Sequence, residues 1–292
     1  MHRGVLLSVI AAVALIVGCR PAQKWTVRPV ASIGHMETPE CAVVEPSTGA
    51  VYVSNMQTDG EQYWADDDKA FISLLMPGGT PAALSWKESS KEMPINQPKG
   101  MTIFQGVLYV ADNTRIVGYP LFDGVEPKPL KGPRGKCLND MATDGKAIYV
   151  SDTEAGCVYR MSDEGIRVIK APPGVNGITF WQDKMFAVSW TLHDVYELDP
   201  SGRAEPVPFG LAANFLALDS IEVLRDGTFV VSDFDGGRIA TIAPDRKTIH
   251  TLLEVPTPAD IGLDRERDYL YVPSVKGGRV VIMLLEEARK QR

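Results

Sequence analysis

Short apolar runs and polar residues alternate along this chain in an arrangement that recurs six times. Each copy opens with a polar residue and a first apolar run, and five copies then pass through a tight turn into a second run such as 51–54 or 148–151. Runs of this length, rich in Val, Ile, Tyr and Phe and bounded by Gly and Asp turns, predict β-strands. The six opening residues are Glu40, Lys99, Asn139, Asn176, Asp219 and Asp260.

The spacing of the copies predicts the architecture. Neighbouring opening residues lie about 40 positions apart, with one wider gap between Glu40 and Lys99, and this period is typical of a four-stranded propeller blade. The last copy is one strand short, while an extra strand near 26–33 precedes the first copy. We therefore predict an all-β, six-bladed propeller over residues 25–285, in which the N-terminal strand completes the last blade.

Two further features belong to the loops. Asp or Asn residues end several second strands and are expected to bond backbone amides in the following turn; they are Asn55, Asp112, Asp152 and Asp233.

An insertion at residues 56–69 joins the second and third strands of blade 1. In an up-and-down blade this loop lies on the same face as the start of the first strand. We expect it to cover the end of the axis where the opening residues meet, as a binding loop or as a solvated acidic loop.

The N-terminus predicts export. Arg3 begins a short cationic region, residues 5–18 form an apolar run too short to cross a bilayer, and the run ends at Cys19. This pattern is typical of a lipoprotein signal peptide (1–18), with lipidation of Cys19 and a tether at 19–24. Arg20 favours the outer membrane, facing the periplasm, as the location. Residues 286–292 form a charged tail.

Composition narrows the partners. The chain has 292 residues, is 45% hydrophobic and carries a net charge of −7. No basic stripe is present, so nucleic-acid binding is not expected. Three cysteines remain after Cys19: Cys41, Cys137 and Cys157. We expect buried free thiols, although a bond between Cys137 and Cys157 stays open because both lie in blade 3.

The opening residues also suggest chemistry. Six blades would bring three to five carboxylates and two amides together at the axis, where they would repel one another without a cation. All of these ligands are hard oxygens, which suit calcium, or alternatively magnesium or manganese. Lys99 could instead neutralise part of the charge or hold an anionic ligand. The alternative is a set of polar residues that only bind water.

The segments around four of the opening residues resemble signatures of the gluconolactonase (senescence-marker-protein, regucalcin) family, and the resemblance covers about residues 25–285. They occur in the order in which that family has its Glu, Asn-Asp, Asn-Gly and Asp signatures: Pro39-Glu40-Cys41, Leu138-Asn139-Asp140, Val175-Asn176-Gly177 and Leu218-Asp219-Ser220. The resemblance is closer to a divergent bacterial lipoprotein branch, through motifs at 37–40, 98–100 and 258–262. It implies one divalent metal held by Glu40, Asn176 and Asp219, with Asn139 as a ligand or substrate contact.

Departures from the family pattern affect the expected substrate. Cys137 stands where the family's lactonases carry a substrate-binding arginine, Val175 replaces a proline, and Ser220 replaces a glycine. We therefore carry two hypotheses. The first is a metal-dependent, lactonase-type hydrolase of a small polar or anionic ester. The second is a non-catalytic propeller lipoprotein that binds a ligand or a protein.

The first hypothesis assigns roles to the opening residues. A metal would activate the ester and water, and Asp219, or an unligated Asp260 or Asp140, would accept the proton. Lys99 and Asn139 would contact substrate.

Overall fold

The computed structural model describes residues 23–58, 62–124 and 132–288. The predicted signal peptide, Cys19 and most of the predicted tail lie outside these ranges. The described chain is all-β, with two short 3-10 helices at Pro77–Gly79 and Ala212–Asn214. None of its helices has the length and apolar character needed to cross a membrane.

Six antiparallel sheets form the blades. The strand β1 (Trp25–Ile33) comes first. Blades 1 and 2 contain β2 (Pro39–Val44), β3 (Val51–Asn55), β4 (Phe71–Leu75), β5 (Pro81–Glu88), and β6 (Pro98–Phe104), β7 (Val107–Asp112), β8 (Arg115–Pro120). Blades 3 and 4 contain β9 (Leu138–Thr143), β10 (Ile148–Asp152), β11 (Cys157–Ser162), β12 (Gly165–Lys170), and β13 (Val175–Trp181), β14 (Lys184–Ser189), β15 (Val195–Leu198), β16 (Val207–Pro208). Blades 5 and 6 contain β17 (Leu218–Val223), β18 (Phe229–Asp233), β19 (Arg238–Ile242), β20 (Ile249–Glu254), and β21 (Gly262–Asp264), β22 (Tyr269–Ser274), β23 (Arg279–Glu287).

Closure of the ring follows the prediction. β1 pairs antiparallel with β23, from Trp25 opposite Glu287 to Ile33 opposite Val280, and completes a four-stranded blade 6. Blade 2 has three described strands, and residues 125–131, which come later in the sequence, are outside the described chain. The six-bladed propeller is confirmed.

The core is divided among the interfaces between blades. Second strands such as β10 and β18 are buried along their whole length because both of their faces are covered by neighbouring blades. Six apolar clusters result, each shared by two adjacent sheets; that between blades 2 and 3, for example, joins Tyr109 to Met141. Burial between blades therefore stabilises the ring as a unit.

First strands of neighbouring blades approach each other very closely around the axis. A Cβ on Gly100 would lie 2.4 Å from the Cα of Asp140, and one on Gly177 would lie 2.7 Å from the Cα of Ser220. Gly262 meets the carbonyl oxygen of Ala42 in the same way, at 2.6 Å. Only glycine fits these positions, and the approach leaves a narrow axial channel.

The residues that end the second strands bond backbone amides. Asp152 and Asp233 do so in the following turn, as predicted, whereas Asn55 and Asp112 accept from Glu37 N and Asn96 N, before the first strand of their blades. Asp152 accepts from Ala155 N in the following turn, and also from Lys136 N before β9. Asp233 accepts from Gly236 N and from Leu216 N before β17. These carboxylates therefore connect two loops of one blade and have a structural role.

The three described cysteines are free, as predicted, but their burial differs. Cys41 is buried, whereas Cys137 and Cys157 are partly exposed.

Trp25 offers a test of ring closure. Its indole is 2% exposed, packs into the cluster between blades 5 and 6, and donates from Nε1 to Asp226 at 3.1 Å. We expect Trp25→Ala to lower the free energy of unfolding by about 3–5 kcal/mol, because a large buried side chain is lost. Urea unfolding measures this loss. Val30→Ala, on an exposed part of the same strand, is the control; an equal effect of both changes would contradict closure by Trp25.

Candidate functional site

A β-bulge places the opening residues of blades 1 to 5 at the axis. In blade 1, Pro39 pairs with Asn55 and Ala42 pairs with Val53, so β2 contains one extra residue at 40–41. Corresponding shifts occur at the starts of β6, β9, β13 and β17. A bulge re-aims the side chains next to it, and here it points the opening residues into the end of the channel.

Buried serines of the second strands hold three of these bulges. Ser54 Oγ accepts from Cys41 N at 2.9 Å in blade 1. Ser151 accepts from Asp140 N at 2.9 Å, and Ser232 accepts from Ser220 N at 2.8 Å. The serine side chain thus satisfies an amide that the interrupted strand pairing leaves without a backbone partner.

Five opening residues line one cavity of about 400 Å³, which we call the site cavity. Its floor consists of Glu40, Lys99, Asn139, Asn176 and Asp219, from blades 1 to 5. All five side chains are buried. The prediction of convergence is therefore confirmed for five of the six opening residues, and these five include two carboxylates rather than three to five.

Asp260 is not the sixth opening residue. In blade 6, Pro258 pairs with Ser274 as Pro39 pairs with Asn55, so Ala259 is the equivalent of Glu40 and lines the site cavity. Asp260 instead pairs with Cys41 across the interface between blades. The predicted register of blade 6 was therefore wrong by one residue. An offset of one residue moves a side chain to a different level of the axis.

Asp140 and Asp260 lie together one layer deeper and line a second axial cavity of about 300 Å³. Asp140 accepts from Ile178 N at 2.6 Å, and Asp260 accepts from Ser220 Oγ at 2.6 Å. Burial, and then the charge of Asp260, hold the pKa of Asp140 well above its usual range. Of the three residues predicted as proton acceptors, Asp219 lines the site cavity, whereas Asp140 and Asp260 do not.

The charged forms of the two floor carboxylates, Glu40 and Asp219, are destabilised by their surroundings. Burial raises the pKa of Glu40 well above its usual range and the charge of Asp219 adds to this, while Lys99 opposes it. Burial and the charge of Asp260 raise the pKa of Asp219 to about 7, against the effects of Asn176 and Lys99. Glu40 Oε2 is buried and has no hydrogen-bond partner. A proton or a cation is needed to relieve this charge.

The two amides have fixed orientations. Asn176 Nδ2 donates to Asp219 Oδ1. Asn139 Nδ2 donates to Thr153 Oγ1 at 3.2 Å, and Thr153 in turn donates to the carbonyl oxygen of Val175 at 2.9 Å. With both NH₂ groups engaged, the amide oxygens are the parts left as acceptors.

Lys99 is turned toward the loop of blade 1. Its ammonium donates to the carbonyl oxygen of Tyr63 at 2.5 Å, contacts Met56 Sδ, and lies 4.6 Å from the ring centroid of Trp64. No ion pair joins it to Glu40 or Asp219 among the described salt bridges. Burial lowers the pKa of Lys99 to about 8, against the raising effects of those two carboxylates. The predicted position of residues 56–69 over the axis is confirmed for the described part of the loop.

Several lining residues were not predicted: Thr153, Trp190, Phe234, Asp235, Val275 and Lys276. Four of them share one position, directly after the last residue of a second strand, as Trp190 follows Ser189 and Phe234 follows Asp233. In every blade this position follows the second strand, as residues 56–69 do, and it therefore lies on the same face as the start of the first strand. The approach of these residues to the site cavity could thus have been predicted from the sequence.

The floor fits a hard divalent cation. Across 23–58, 62–124 and 132–288, no three His, Cys, Asp or Glu side chains converge closely enough to hold a metal. The two carboxylates would therefore need the amide oxygens of Asn176 or Asn139 as further ligands. An all-oxygen set with a buried, unpartnered Glu40 oxygen matches calcium, magnesium or manganese chemistry.

Comparison with known proteins gives the fold. No family model and no curated protein matches the chain. Among solved structures, a luciferin-regenerating enzyme aligns over 89% of this chain and 95% of its own, with a TM-score of 0.63 and 15% identity. A candidate gluconolactonase aligns over 90% and 93%, with a TM-score of 0.60 and 17% identity. Virginiamycin B lyase from Staphylococcus aureus aligns over 89% and 99%, with a TM-score of 0.61 and 12% identity. The chain shares their propeller fold.

Asp219 makes the stability of the metal-free protein depend on pH. Its pKa is about 7 in the folded chain and about 4 in an unfolded one. Between these values the folded state keeps a proton that the unfolded state has released, so raising the pH destabilises the fold. We expect the melting temperature in chelator to fall from pH 4.5 to 7.5, and Asp219→Asn to reduce that fall.

Asp199 provides a control of opposite sign. The hydroxyl of Ser201 and backbone amides of its own turn lower its pKa, so its ionised form favours folding above pH 4. Asp199→Asn should leave the fall between pH 4.5 and 7.5 in place. An unchanged pH profile in Asp219→Asn would contradict the buried, strained state of the floor.

Proposed function

We propose that this protein is a divalent-metal-dependent hydrolase of the lactonase type that acts at the end of the propeller axis. The observation that carries the proposal is the pair of buried carboxylates, Glu40 and Asp219, one of which has an oxygen without any partner. The amide oxygen of Asn176 would complete the set of ligands, and Asn139 would be a further ligand or a substrate contact. A shared fold does not by itself carry an activity, so the floor geometry is the basis.

The reaction would be the hydrolysis of an ester ring. Water adds to the carbonyl carbon, the bond from that carbon to the ring oxygen breaks, and the hydroxy acid is formed. A divalent cation, when bound, supplies Lewis acidity that polarises the ester carbonyl.

Asp219 is the residue suited to proton transfer. Its carboxylate lines the cavity and accepts a hydrogen bond from Asn176, a position from which a carboxylate can act as a general base toward water. It would take a proton from the attacking water and return it to the leaving ring oxygen. Asp140 and Asp260 are too deep in the channel to take this role directly and would instead support the floor.

The metal test uses the purified protein after chelator treatment. We expect calcium or manganese to bind by calorimetry and to restore hydrolysis of a lactone. Asp219→Ala or Glu40→Gln should weaken metal affinity by at least about 100-fold, because loss of an outer-shell partner of a ligand alone costs about 10–100-fold. Glu205→Gln, a surface carboxylate paired with Lys170, is the matched control. Unchanged affinity in both floor variants would exclude this site.

Binding without turnover is the second candidate. Two observations favour it: among the described residues no Arg or His side chain lines the cavity, and the ammonium of Lys99 is bonded to the loop instead of to Glu40 or Asp219. Cys137, at the position of the family's arginine, contacts Glu154 and does not line the cavity. Metal binding with no hydrolysis of any lactone would favour this candidate.

The location in the cell envelope is part of the proposal and rests on the sequence at Cys19. We expect the expressed protein to sediment with the outer membrane and to carry a lipid on this cysteine, detected by mass spectrometry of the N-terminal peptide. Cys19→Ser should release it into the soluble fraction. Retention of this variant in the membrane would contradict lipid anchoring.

A further inference from the structure

Aromatic side chains surround the polar floor of the site cavity. Tyr63 and Trp64 come from the loop of blade 1, Trp190 follows β14 in blade 4, and Phe234 follows β18 in blade 5. We call these four residues the aromatic wall. Val275 and Ala259 extend its apolar surface through blade 6.

The wall is held in place from both sides. Trp190 and Phe234 contact each other with ring centroids 5.2 Å apart and planes tilted by 56°. Opposite them, the ammonium of Lys99 lies 4.6 Å from the ring of Trp64. Asn113 Nδ2 fixes the adjacent backbone by donating to the carbonyl oxygen of Ala65 at 3.0 Å. A ligand that packs against this wall would therefore meet rings that are already ordered, which lowers the entropic cost of binding.

Two of the polar side chains near the wall, Thr153 and Lys99, are engaged within the protein. The hydroxyl of Thr153 donates to Val175 and accepts from Asn139, and the ammonium of Lys99 donates to Tyr63. Asp235 and Lys276 bring one charge of each sign to the lining. The buried acceptor without a partner lies on the floor, at Glu40 Oε2. The site cavity thus has a polar floor for the reacting group and an apolar wall for the rest of the ligand.

We propose that the substrate is an amphipathic ester or lactone whose carbonyl is carried by an apolar, aromatic-sized ring system, and that Trp190 determines this specificity. The proposal rests on the proposed function for the reaction, but the ligand class follows from the wall. A polyhydroxylated lactone would place most of its hydroxyl groups against these rings, where they would lose water and find few hydrogen-bond partners besides Asp235 and Lys276. An aromatic ring buries apolar surface there and gains from contacts with the rings.

Steady-state kinetics with two lactones test this specificity. With calcium or manganese present, we expect dihydrocoumarin to be hydrolysed with at least about tenfold higher kcat/KM than D-glucono-δ-lactone. Trp190→Ala should lower kcat/KM for dihydrocoumarin about fivefold, mainly through KM, because a ring contact contributes about this factor. Trp190→Phe should retain most of the activity. Leu192→Ala, an exposed residue nearby that does not line the cavity, should match the native protein.

A binding measurement separates this proposal from the reaction. The lactam 3,4-dihydroquinolin-2-one has the shape of dihydrocoumarin and resists hydrolysis, and D-glucono-δ-lactam is its polyhydroxylated counterpart. If neither lactone is hydrolysed but the aromatic lactam binds, and binds more weakly in Trp190→Ala, the reaction fails and the ligand class stands. Tighter binding of the sugar lactam, or affinity for the aromatic lactam that is unchanged by Trp190→Ala, would overturn the ligand class even if lactones are hydrolysed.

Discussion

The close approach of the six first strands around the axis is the constraint on which the rest of the structure depends. Gly100, Gly177 and Gly262 have no room for a Cβ, because the backbone of the next blade lies against each of them. At this distance the side chains next to the glycines lie close to those of the neighbouring blades. Any polar side chain that the bulges turn toward the channel must therefore share a small, poorly hydrated volume with its counterparts from other blades.

That crowding explains both layers of the axis. In the outer layer the charge of Asp219 adds to the effect of burial in raising the pKa of Glu40, and a cation would relieve the repulsion. In the inner layer Asp140 and Asp260 are satisfied within the protein by amide and hydroxyl donors. Both layers are buried, so the difference between them lies in the hydrogen-bond partners of their carboxylates. An unpartnered oxygen is present in the outer layer, and this makes the outer layer the candidate site.

The loops after the second strands complete the site in a different way. They bring apolar rings rather than charges, and their positions depend on contacts between blades, such as Trp190 with Phe234 and Lys99 with Trp64. Lys99 illustrates how context changes a residue's role. Its charge is close enough to Glu40 and Asp219 to affect their pKa values, yet its hydrogen bonds go to the loop and help to position the wall.

The sequence alone determined the number of blades, the closing strand and the meeting point of five opening residues, because these follow from a repeat period and from strand alternation. It also determined the face occupied by the loop of blade 1. Only the tertiary structure decided that Ala259, and not Asp260, is the opening residue of blade 6, because the register there is set by pairing with Ser274 and with blade 1. The direction of Lys99 and the unpartnered oxygen of Glu40 were likewise decided by neighbours distant in sequence. Local patterns specify which residues reach the axis, whereas burial and partners, which specify what those residues can do, arise from packing between blades.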